Sequence, residues 1–355
     1  MRALYVSDRL SVRGGADLHL LAVLQHTAGH LEPLLAVGRC EIEPRCQAVE
    51  LPGLARPMRA PVWSDLEALC ARFRPDVIHI HNALNPEALE WGAHRGAVAT
   101  VHDHRCFCPG RGKLTLAGAV CHTPMTPEVC AGCFDDADYF RQIYARTKER
   151  LRALRKMARI IVLSRYMRDE LVDAGADRKR IAIISPFVNG LDADATPSGR
   201  PCVLFAGRLV RAKGVDDAVQ AWRASGLDLP LVFAGTGPER ARLEARGATV
   251  LGWQPVERMS GVYRRAAALV MPSRWQEPFG IAGLEALHMG VPVAAWRSGG
   301  IPEWLPGAVE WGQVDALAAA LLAAAGTRVE PPSGFGREAS IARLLVLYHE
   351  VASDA

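Results

Sequence analysis

Residues 270–296 read VMPSRWQEPFGIAGLEALHMGVPVAAW, and this stretch decides the fold class. It begins and ends with short apolar runs, which are typical of buried strands. A Pro-Phe-Gly turn and a segment with helical spacing of apolar residues lie between them. A strand, a loop, a helix and a second strand form the repeating unit of a parallel sheet. Glu277 and Glu285 flank the turn, and they either favour the helix start and face water or bind a ligand.

The rest of the chain follows the same alternation. The apolar runs ALYV, DVIHIH and AVATVH occur in the first half, and CVLFAG, LPLVFAG, TVLGW, ALVMPS and VPVAAW occur in the second, most of them followed by helical patterns. A turn-rich stretch, 185–201, separates the halves. We therefore predict an α/β protein with two Rossmann-like, doubly wound domains facing a cleft. We place the domains at 1–187 and 188–336, and the final helix, 337–353, back on the first domain.

Composition and charge narrow the possible functions. The chain has 355 residues, 50% hydrophobic and 23% charged, which is enough for two folded domains. A net charge of +4 is too small to indicate nucleic-acid binding. The N-terminus lacks a signal-peptide core, and no run approaches the roughly 20 apolar residues that a membrane helix needs. We expect a cytoplasmic protein.

Loops after two predicted strands of the second domain carry candidate ligand-binding groups. Arg208 and Lys213 follow CVLFAG, and their charges are either solvated or bind an anion. Gly235 and Gly237 follow LPLVFAG, and we predict that Pro238 begins a helix whose free N–H groups favour anions. Together these groups suit a diphosphate.

The two acids extend this interpretation. If the whole segment were helical, Glu277 and Glu285 would lie roughly 12 Å apart, at about 1.5 Å per residue. Such a separation suits an extended ligand with a central diphosphate and hydroxyl-rich groups at both ends. A nucleotide sugar has this structure. Phe279 and Gly280 would open the helix toward it.

Several motifs resemble those of family 4 glycosyltransferases, which are retaining enzymes of the GT-B fold. The motifs are GRLVRAKG, AGTGPE, PSRWQEPFGIAGLEA and GVPVAAWRSGGIPE, with VNG in the linker and RGGAD and TVHD in the first domain. The resemblance implies that Arg208 and Lys213 hold the donor diphosphate. It also implies that Glu277 touches the sugar hydroxyls and Glu285 the ribose. The donor-binding set implied by these motifs comprises Gly14, Gly15, Gly207, Gly235, Gly237, Ser273, Pro278, Phe279, Gly280, Ile281, Glu285, Gly299 and Gly300.

Two histidines of the first domain are further candidates. The resemblance places His102, in TVHD, near the reacting face of the donor sugar, and the alternative is a histidine that merely ends a strand. His81 is either structural or lines the acceptor site.

The predicted function is therefore retaining transfer of a sugar from a nucleoside diphosphate sugar, uridine preferred over guanosine, to an unknown acceptor. Fixed cations would replace a catalytic metal, so no catalytic cofactor is expected. The Asp-Ala-Asp at 192–194 lies in the linker and is interpreted as loop structure. The alternatives are an epimerase or phosphorylase of the same architecture, a non-catalytic binding protein, or a nicotinamide-dependent dehydrogenase. A dehydrogenase would carry G-x-G-x-x-G after its first strand, and this chain lacks that motif.

An insertion at 104–138, directly after His102, contains five of the nine cysteines. Four of them have a spacing that suits a structural zinc site or, less well, an iron–sulfur cluster; two disulfides and free thiols are the alternatives. Cys106 or His122 could replace one ligand. The predicted ligands are Cys108, Cys121, Cys130 and Cys133.

A basic helical stretch, 139–160, has eight Arg or Lys against one Glu. It predicts either a solvated helix face or an electrostatic contact with an anionic membrane or a charged acceptor.

Overall fold

The computed structural model describes residues 1–354, which form two compact units. The chain passes from the first unit to the second after Pro186, within the turn-rich stretch 185–201, which has no helix or strand. The first unit comprises 1–116, 121–186 and 338–354, and the second comprises 117–120 and 187–337.

The first unit is built on a seven-stranded parallel sheet. Its order is β3-β2-β1-β4-β5-β6-β7, so β4 is the central strand, and β1 lies between β2 and β4, with Leu4 opposite Leu34 on one side and Ile78 on the other. The middle strands are largely buried because helices cover both faces, and β4 includes two buried histidines, His79 and His81. The strands are β1 (Arg2–Ser7), β2 (Glu32–Val37), β3 (Gln47–Glu50), β4 (Val77–Asn82), β5 (Val98–Val101), β6 (Arg159–Val162) and β7 (Ile181–Ile183).

Six helices connect these strands. Four of them begin at a side-chain cap, of which Asn85 and Ser164 are examples: each accepts an N–H from the first turn. The predicted basic helix at 139–160 is too long, because the helix ends at Leu154 and β6 begins at Arg159. The helices are α1 (Gly15–Thr27), α2 (Trp63–Phe73), α3 (Pro86–His94), α4 (Pro127–Ala131), α5 (Ala137–Leu154) and α6 (Arg165–Asp173).

The second unit repeats the design with five parallel strands in the order β10-β9-β8-β11-β12. The strands are β8 (Cys202–Ala206), β9 (Leu231–Ala234), β10 (Thr249–Gly252), β11 (Ala266–Met271) and β12 (Val293–Ala295). The helices are α7 (Val215–Ser225), α8 (Arg240–Glu244), α9 (Val256–Arg264), α10 (Ile281–His288) and α11 (Val314–Ala324).

The last helix, α12 (Arg337–Ser353), packs into the core of the first unit. Leu344, Leu347 and Tyr348 are buried there beside residues of β1 and α1. The Tyr348 hydroxyl lies 2.5 Å from Nδ1 of His79, and Nε2 of His79 lies 2.7 Å from the Thr100 hydroxyl. The buried histidine therefore has a partner at both ring nitrogens.

Both sheets reverse their strand order beside the first strand of the unit. The reversal lies between β1 and β4 in one sheet and between β8 and β11 in the other. At such a point the connections from the two neighbouring strands run to opposite faces of the sheet. A crevice therefore forms at the carboxyl ends of the two strands, where ligands of α/β proteins bind. The loops after β8 and β11 carry the predicted cations and Glu277, and Glu285 lies on α10, which follows the second of these loops.

Helices long and apolar enough to cross a bilayer are absent from residues 1–354. The longest helix, α5, has 18 residues, and its exposed side is rich in Arg and Lys.

Candidate active site

Lys213 and Glu277 form a close ion pair at the switch point of the second sheet. Lys213 ends the short turn Arg211–Lys213 after β8, and Glu277 lies in the loop after β11. The Lys213 Nζ is 2.7 Å from Oε1 of Glu277, and the Ser273 hydroxyl donates to the same oxygen at 2.5 Å. The structure thus brings together three predicted residues that are up to 64 positions apart in the chain.

The Glu277 carboxylate is nearly inaccessible, with its side chain 4% exposed. Burial by itself would raise the pKa of Glu277, but the Lys213 ammonium and the hydrogen bonds from Lys213 and Ser273 outweigh it and lower the pKa. The group is therefore an anion at neutral pH and acts only as a hydrogen-bond acceptor.

Trp275 lies beside the pair and was not in the predicted set. The Lys213 Nζ is 4.5 Å from the centre of the indole ring, and the guanidinium carbon of Arg208 is 5.6 Å from it. Both cations are within the range of a cation–π interaction. Arg208 is exposed, so its charge is open to solvent and to ligands. Two cations and one carboxylate leave one positive charge here.

The glycines after β12 hold the backbone of Glu277. The Gly300 N–H donates to the Glu277 carbonyl at 2.8 Å. Gly299 has a φ of +54°, and a Cβ on it would lie 2.1 Å from the same oxygen. A side chain at this position would therefore displace Glu277.

The loop after β9 packs directly on the loop after β8. A Cβ on Gly235 would lie 1.9 Å from the Gly207 carbonyl, and one on Gly237 would lie 2.2 Å from the Leu209 carbonyl. These glycines fix the backbone on either side of Arg208. The predicted helix start at Pro238 is wrong: α8 begins at Arg240 and has only five residues, so no helix N-terminus forms at Pro238.

Glu285 lies on α10 and pairs with Tyr263 of α9, whose hydroxyl donates to Oε2 at 2.8 Å. Burial raises the pKa of Glu285 to about 7, although the Tyr263 hydrogen bond opposes the shift. The segment between the two acids is not wholly helical, because residues up to Gly280 form a loop. The 12 Å estimate therefore does not apply.

Other predicted donor-binding residues form the turn before α10. Gly280 caps this helix with a φ of +86°, and Ile281 is its first residue. Pro278 is buried, and Phe279 is 2% exposed, with its ring 5.5 Å from that of Phe335. The Phe279 side chain therefore belongs to the core of this unit, and its backbone positions the helix start.

Three histidines of the first unit come together near the carboxyl ends of β4 and β5. The His102 ring lies 4.6 Å from that of His81 and 5.5 Å from that of His19. Burial lowers the pKa of all three, that of His19 to about 4, so the rings are neutral. His19, on α1, was missed by the sequence analysis.

The three histidines also have ligand atoms within 4.8 Å of one another. Within residues 1–354, no other group of three or more His, Cys, Asp or Glu meets this criterion. The His81 Nε2 lies 3.1 Å from the Ala16 carbonyl, which ties β4 to the first turn of α1. Gly14 and Gly15 form the start of that helix, and Gly14 is extended at its N-cap.

All nine cysteines are free thiols. The four predicted metal ligands lie in the first unit, and Cys130 is close enough to the other three for their charges to raise its pKa, although burial is the larger cause. No three of these sulfur atoms lie within 4.8 Å of one another in the described chain, so a tetrahedral site is not assembled. Zinc binding stays a prediction.

Two protein-family models match the chain, and the boundary between their matches lies close to the boundary between the two structural units. The model described as Glycosyltransferase Family 4 matches residues 13–189, and that described as Glycosyl transferases group 1 matches residues 200–326. The chain belongs to glycosyltransferase family 4. The family resemblance of the sequence motifs is thus confirmed.

Curated relatives of this family member carry the names of different enzymes. The 2-deoxystreptamine N-acetyl-D-glucosaminyltransferase of Streptomyces fradiae is 29% identical over 285 residues, covering 72% of this chain and 63% of the relative. Glycogen synthase of Mycobacterium tuberculosis is 29% identical over 253 residues, covering 65% and 54%. The chain thus spans less than two thirds of the length of either relative.

Solved structures show that the fold is GT-B, as predicted. Sucrose-phosphate synthase from Thermosynechococcus elongatus superposes with a TM-score of 0.73 at 18% identity, covering all of both chains. Anabaena HepE, solved in complex with UDP-glucose, gives a TM-score of 0.64 at 16% identity, again over both full chains. At these identities the likeness concerns the fold alone.

Proposed function

We propose that this protein is a retaining glycosyltransferase that moves a sugar from a uridine diphosphate sugar to an acceptor hydroxyl. The observation that carries the proposal is the Lys213–Glu277 pair, with Arg208 beside it, at the carboxyl ends of β8 and β11. The names of the curated relatives support sugar transfer. The UDP-glucose complex of HepE supports uridine as the base.

The leaving diphosphate is the charge that the site must stabilise. Lys213 uses one of its three N–H donors for Glu277, so the other donors are available to phosphate oxygens. Arg208 adds a planar guanidinium suited to bidentate phosphate binding. The bridging oxygen gains negative charge as its bond to the sugar breaks. The single excess positive charge of the cluster therefore stabilises the transition state more than the bound donor.

Glu277 and Glu285 then accept hydrogen bonds from the two ends of the donor. Lys213 and Ser273 both use Oε1 of Glu277, and we assign Oε2 to the sugar hydroxyls. Glu285, fixed by Tyr263, accepts from the ribose. The acids therefore bind and orient, and neither acts as a nucleophile.

Without an enzymic nucleophile, retention requires attack from the face that the diphosphate leaves. The sugar passes through an oxocarbenium-like state, and the departing phosphate takes the proton of the acceptor hydroxyl. The family resemblance assigns His102 to the reacting face of the donor sugar, where a neutral imidazole offers hydrogen bonds without adding charge. The reaction needs no metal, and a zinc ion held by the cysteines would be structural.

A donor screen tests the proposal. The protein is incubated, without added divalent metal, with UDP-, GDP-, ADP- and dTDP-sugars, and both nucleotide release and thermal shift are measured. We expect UDP release from at least one UDP-sugar and stabilisation by UDP. Stabilisation by a nucleotide sugar without turnover, even with a broad panel of sugar, lipid and aminocyclitol acceptors, would contradict the transferase proposal and favour a binding protein.

The titration of Glu285 gives the donor affinity a pH dependence. With a pKa of about 7, the free group is about one tenth ionised at pH 6 and about nine tenths at pH 8. Only the carboxylate accepts from both ribose hydroxyls, so donor binding should strengthen as pH rises through 7, by about tenfold at most. The measurement is calorimetric Kd for a nucleotide sugar, whose phosphate diester groups do not titrate in this range.

The matched variant is Glu285→Gln, which keeps the size of the side chain but cannot ionise. Its donor affinity should be weaker at pH 8 and nearly independent of pH. A variant that retains the wild-type pH dependence would show that another group titrates and would remove Glu285 from the ribose site.

The exposed side of α5 and the turn after it suggest how the enzyme meets an acceptor at a membrane. Five cations are exposed here, whereas Arg150 is buried and donates to the Leu84 carbonyl at 2.8 Å. The exposed residues are Arg141, Lys148, Arg152, Arg155 and Lys156. We propose peripheral contact with anionic lipid through this surface.

Vesicle flotation tests this contact. We expect recovery with vesicles containing anionic phosphatidylglycerol at low salt and loss at high salt, because each well-placed cation contributes about 1 kcal/mol and is screened. Lys148→Glu with Lys156→Glu should weaken the recovery. Equal recovery with neutral phosphatidylcholine vesicles would leave this side of α5 as an ordinary solvated helix face.

A further inference from the structure

We propose that Cys108, Cys121, Cys130 and Cys133 bind one structural zinc ion in the first unit. This site is separate from the Lys213–Glu277 pair, which lies in the second unit. It would tie the segment that follows His102 into a single ordered loop.

The turn after Cys108 directs backbone N–H groups toward the sulfur of that residue. The backbone N–H groups of Gly110 and Lys113 point at the Cys108 sulfur. Gly112 and Lys113 both have positive φ, +66° and +60°, and such a backbone collects N–H groups around one atom. Burial raises the pKa of the Cys108 thiol, and these N–H groups oppose that rise.

The other three cysteines lie around this turn. A Cβ on Gly110 would be 3.8 Å from the Cys108 sulfur and 4.0 Å from the Cys133 sulfur. Cys121 is held to the turn by its backbone N–H, which donates to the Lys113 carbonyl at 2.7 Å. Cys130 lies in helix α4, one residue before its end, and the Cys133 N–H donates to the Cys130 carbonyl at 3.0 Å. The segment at Cys121 and the segment 130–133 therefore both lie against the turn 108–113.

A buried cation is part of the same structure. The Lys113 side chain is only 7% exposed, and its ammonium donates to the Thr123 carbonyl at 2.8 Å and lies 3.0 Å from a carboxylate oxygen of Glu170. Four thiolates around one zinc ion carry a net charge of −2, and the Lys113 ammonium offsets part of it.

Zinc also explains how the loop is ordered. Two of the large apolar side chains around the cysteines are exposed, Leu116 at 45% and Val129 at 41%, whereas Phe107, next to Cys108, is buried, so burial supports only part of the loop. A tetrahedral site with Zn–S bonds of about 2.3 Å places the sulfurs roughly 3.8 Å apart. The sulfurs are more widely spaced than this, and we infer that side-chain rotation closes the set as the four thiols lose their protons to the solvent.

The test is native mass spectrometry and elemental analysis of the full chain, purified with neither chelator nor added metal. We expect about one zinc per chain in the wild type and in Cys40→Ser, whose thiol already donates to a carbonyl 3.0 Å away as a serine would. Cys130→Ser and Cys108→Ser should hold well under half as much. Cobalt added to metal-free protein should give thiolate-to-cobalt absorption, which these two variants lose.

The wild-type measurement decides the matter even if the variants unfold. Less than one tenth of a zinc per chain, with free thiols or with disulfides found by peptide mapping, would overturn the proposal. Iron with visible absorbance would overturn zinc as the metal. In folded Cys130→Ser, nucleotide affinity should stay within a few-fold of wild type while kcat falls. The zinc content therefore tests the metal site without depending on the assignment of Lys213 and Arg208 to the diphosphate.

Discussion

Replacing Lys213 with alanine is expected to lower kcat by about 10²- to 10³-fold, and Arg208→Ala should do nearly the same. This is the effect of removing one preorganised group that stabilises developing negative charge, about 3 to 4 kcal/mol. Lys213 already lies at the switch point, ordered by Glu277 and Trp275, so no energy is spent on ordering it during the reaction. Steady-state kinetics at saturating donor measures the loss.

Arg211→Ala is the matched control. Arg211 lies in the same short turn, but its side chain is 79% exposed and pairs with Glu239 at 3.3 Å. Its removal should change kcat less than threefold, since a surface ion pair contributes little. Near-wild-type turnover of both Lys213→Ala and Arg208→Ala would contradict the assignment of these cations to the diphosphate.

Glu277→Gln is expected to lower kcat by about 10²-fold or more, while the protein stays folded. The substitution keeps the volume but removes the buried anion that pairs with Lys213 and that we propose accepts hydrogen bonds from the sugar hydroxyls. The amide keeps one carbonyl oxygen that can accept from Lys213 and Ser273, but it loses the negative charge that holds the ammonium, and its N–H₂ group replaces the oxygen that we assign to the sugar hydroxyls. The loss should exceed that of Ser273→Ala, which removes one hydrogen bond only.

Glu310→Gln provides the comparison for Glu277→Gln. Glu310 is in the same unit, and its exposed carboxylate pairs with Arg297 at 2.9 Å. Turnover and thermal unfolding should both resemble wild type. If Glu277→Gln were also fully active with the natural donor, the sugar-binding role of Glu277 would have to be abandoned.

Much of the fold could be predicted because the central strands are buried on both faces. The runs ALYV of β1 and CVLFAG of β8 are continuous apolar segments, and this pattern is typical of strands that are covered on both faces. The edge strands β3 and β7 gave no comparable signal, since they have four and three residues and are only half-buried. The helix at Pro238 was wrong because the Gly237 turn packs on Leu209 and delays the helix to Arg240.

The site could be predicted only as far as topology alone determines it. Residues that follow parallel strands share one edge of the sheet, so Lys213 and Glu277 were placed together. Their hydrogen bond, and that of Tyr263 with Glu285, depend on side-chain packing that no periodicity encodes. Trp275 did have a signal in the sequence, because it is a large aromatic residue between the candidates Ser273 and Glu277 in a loop that we predicted to bind a ligand.

The histidines and cysteines show a similar limit. His19 and His102 lie on different elements, and only the position of α1 against β4 and β5 brings their rings together. For Cys108 and Cys133, the spacing suggested a shared site, but the sulfur positions depend on rotamers that the spacing leaves open.

The most direct test of the central claim compares how the enzyme binds a nucleoside diphosphate and the corresponding monophosphate. Calorimetry would be run with UDP and UMP, or with the base that the donor screen selects, on wild type, Lys213→Ala, Arg208→Ala and Arg211→Ala. A charge-assisted hydrogen bond contributes about 1.5 to 3 kcal/mol, so wild type and Arg211→Ala should prefer the diphosphate by at least about tenfold. Lys213→Ala and Arg208→Ala should each lose most of that preference. An undiminished preference in both variants would contradict the claim that Lys213 and Arg208 hold the donor diphosphate.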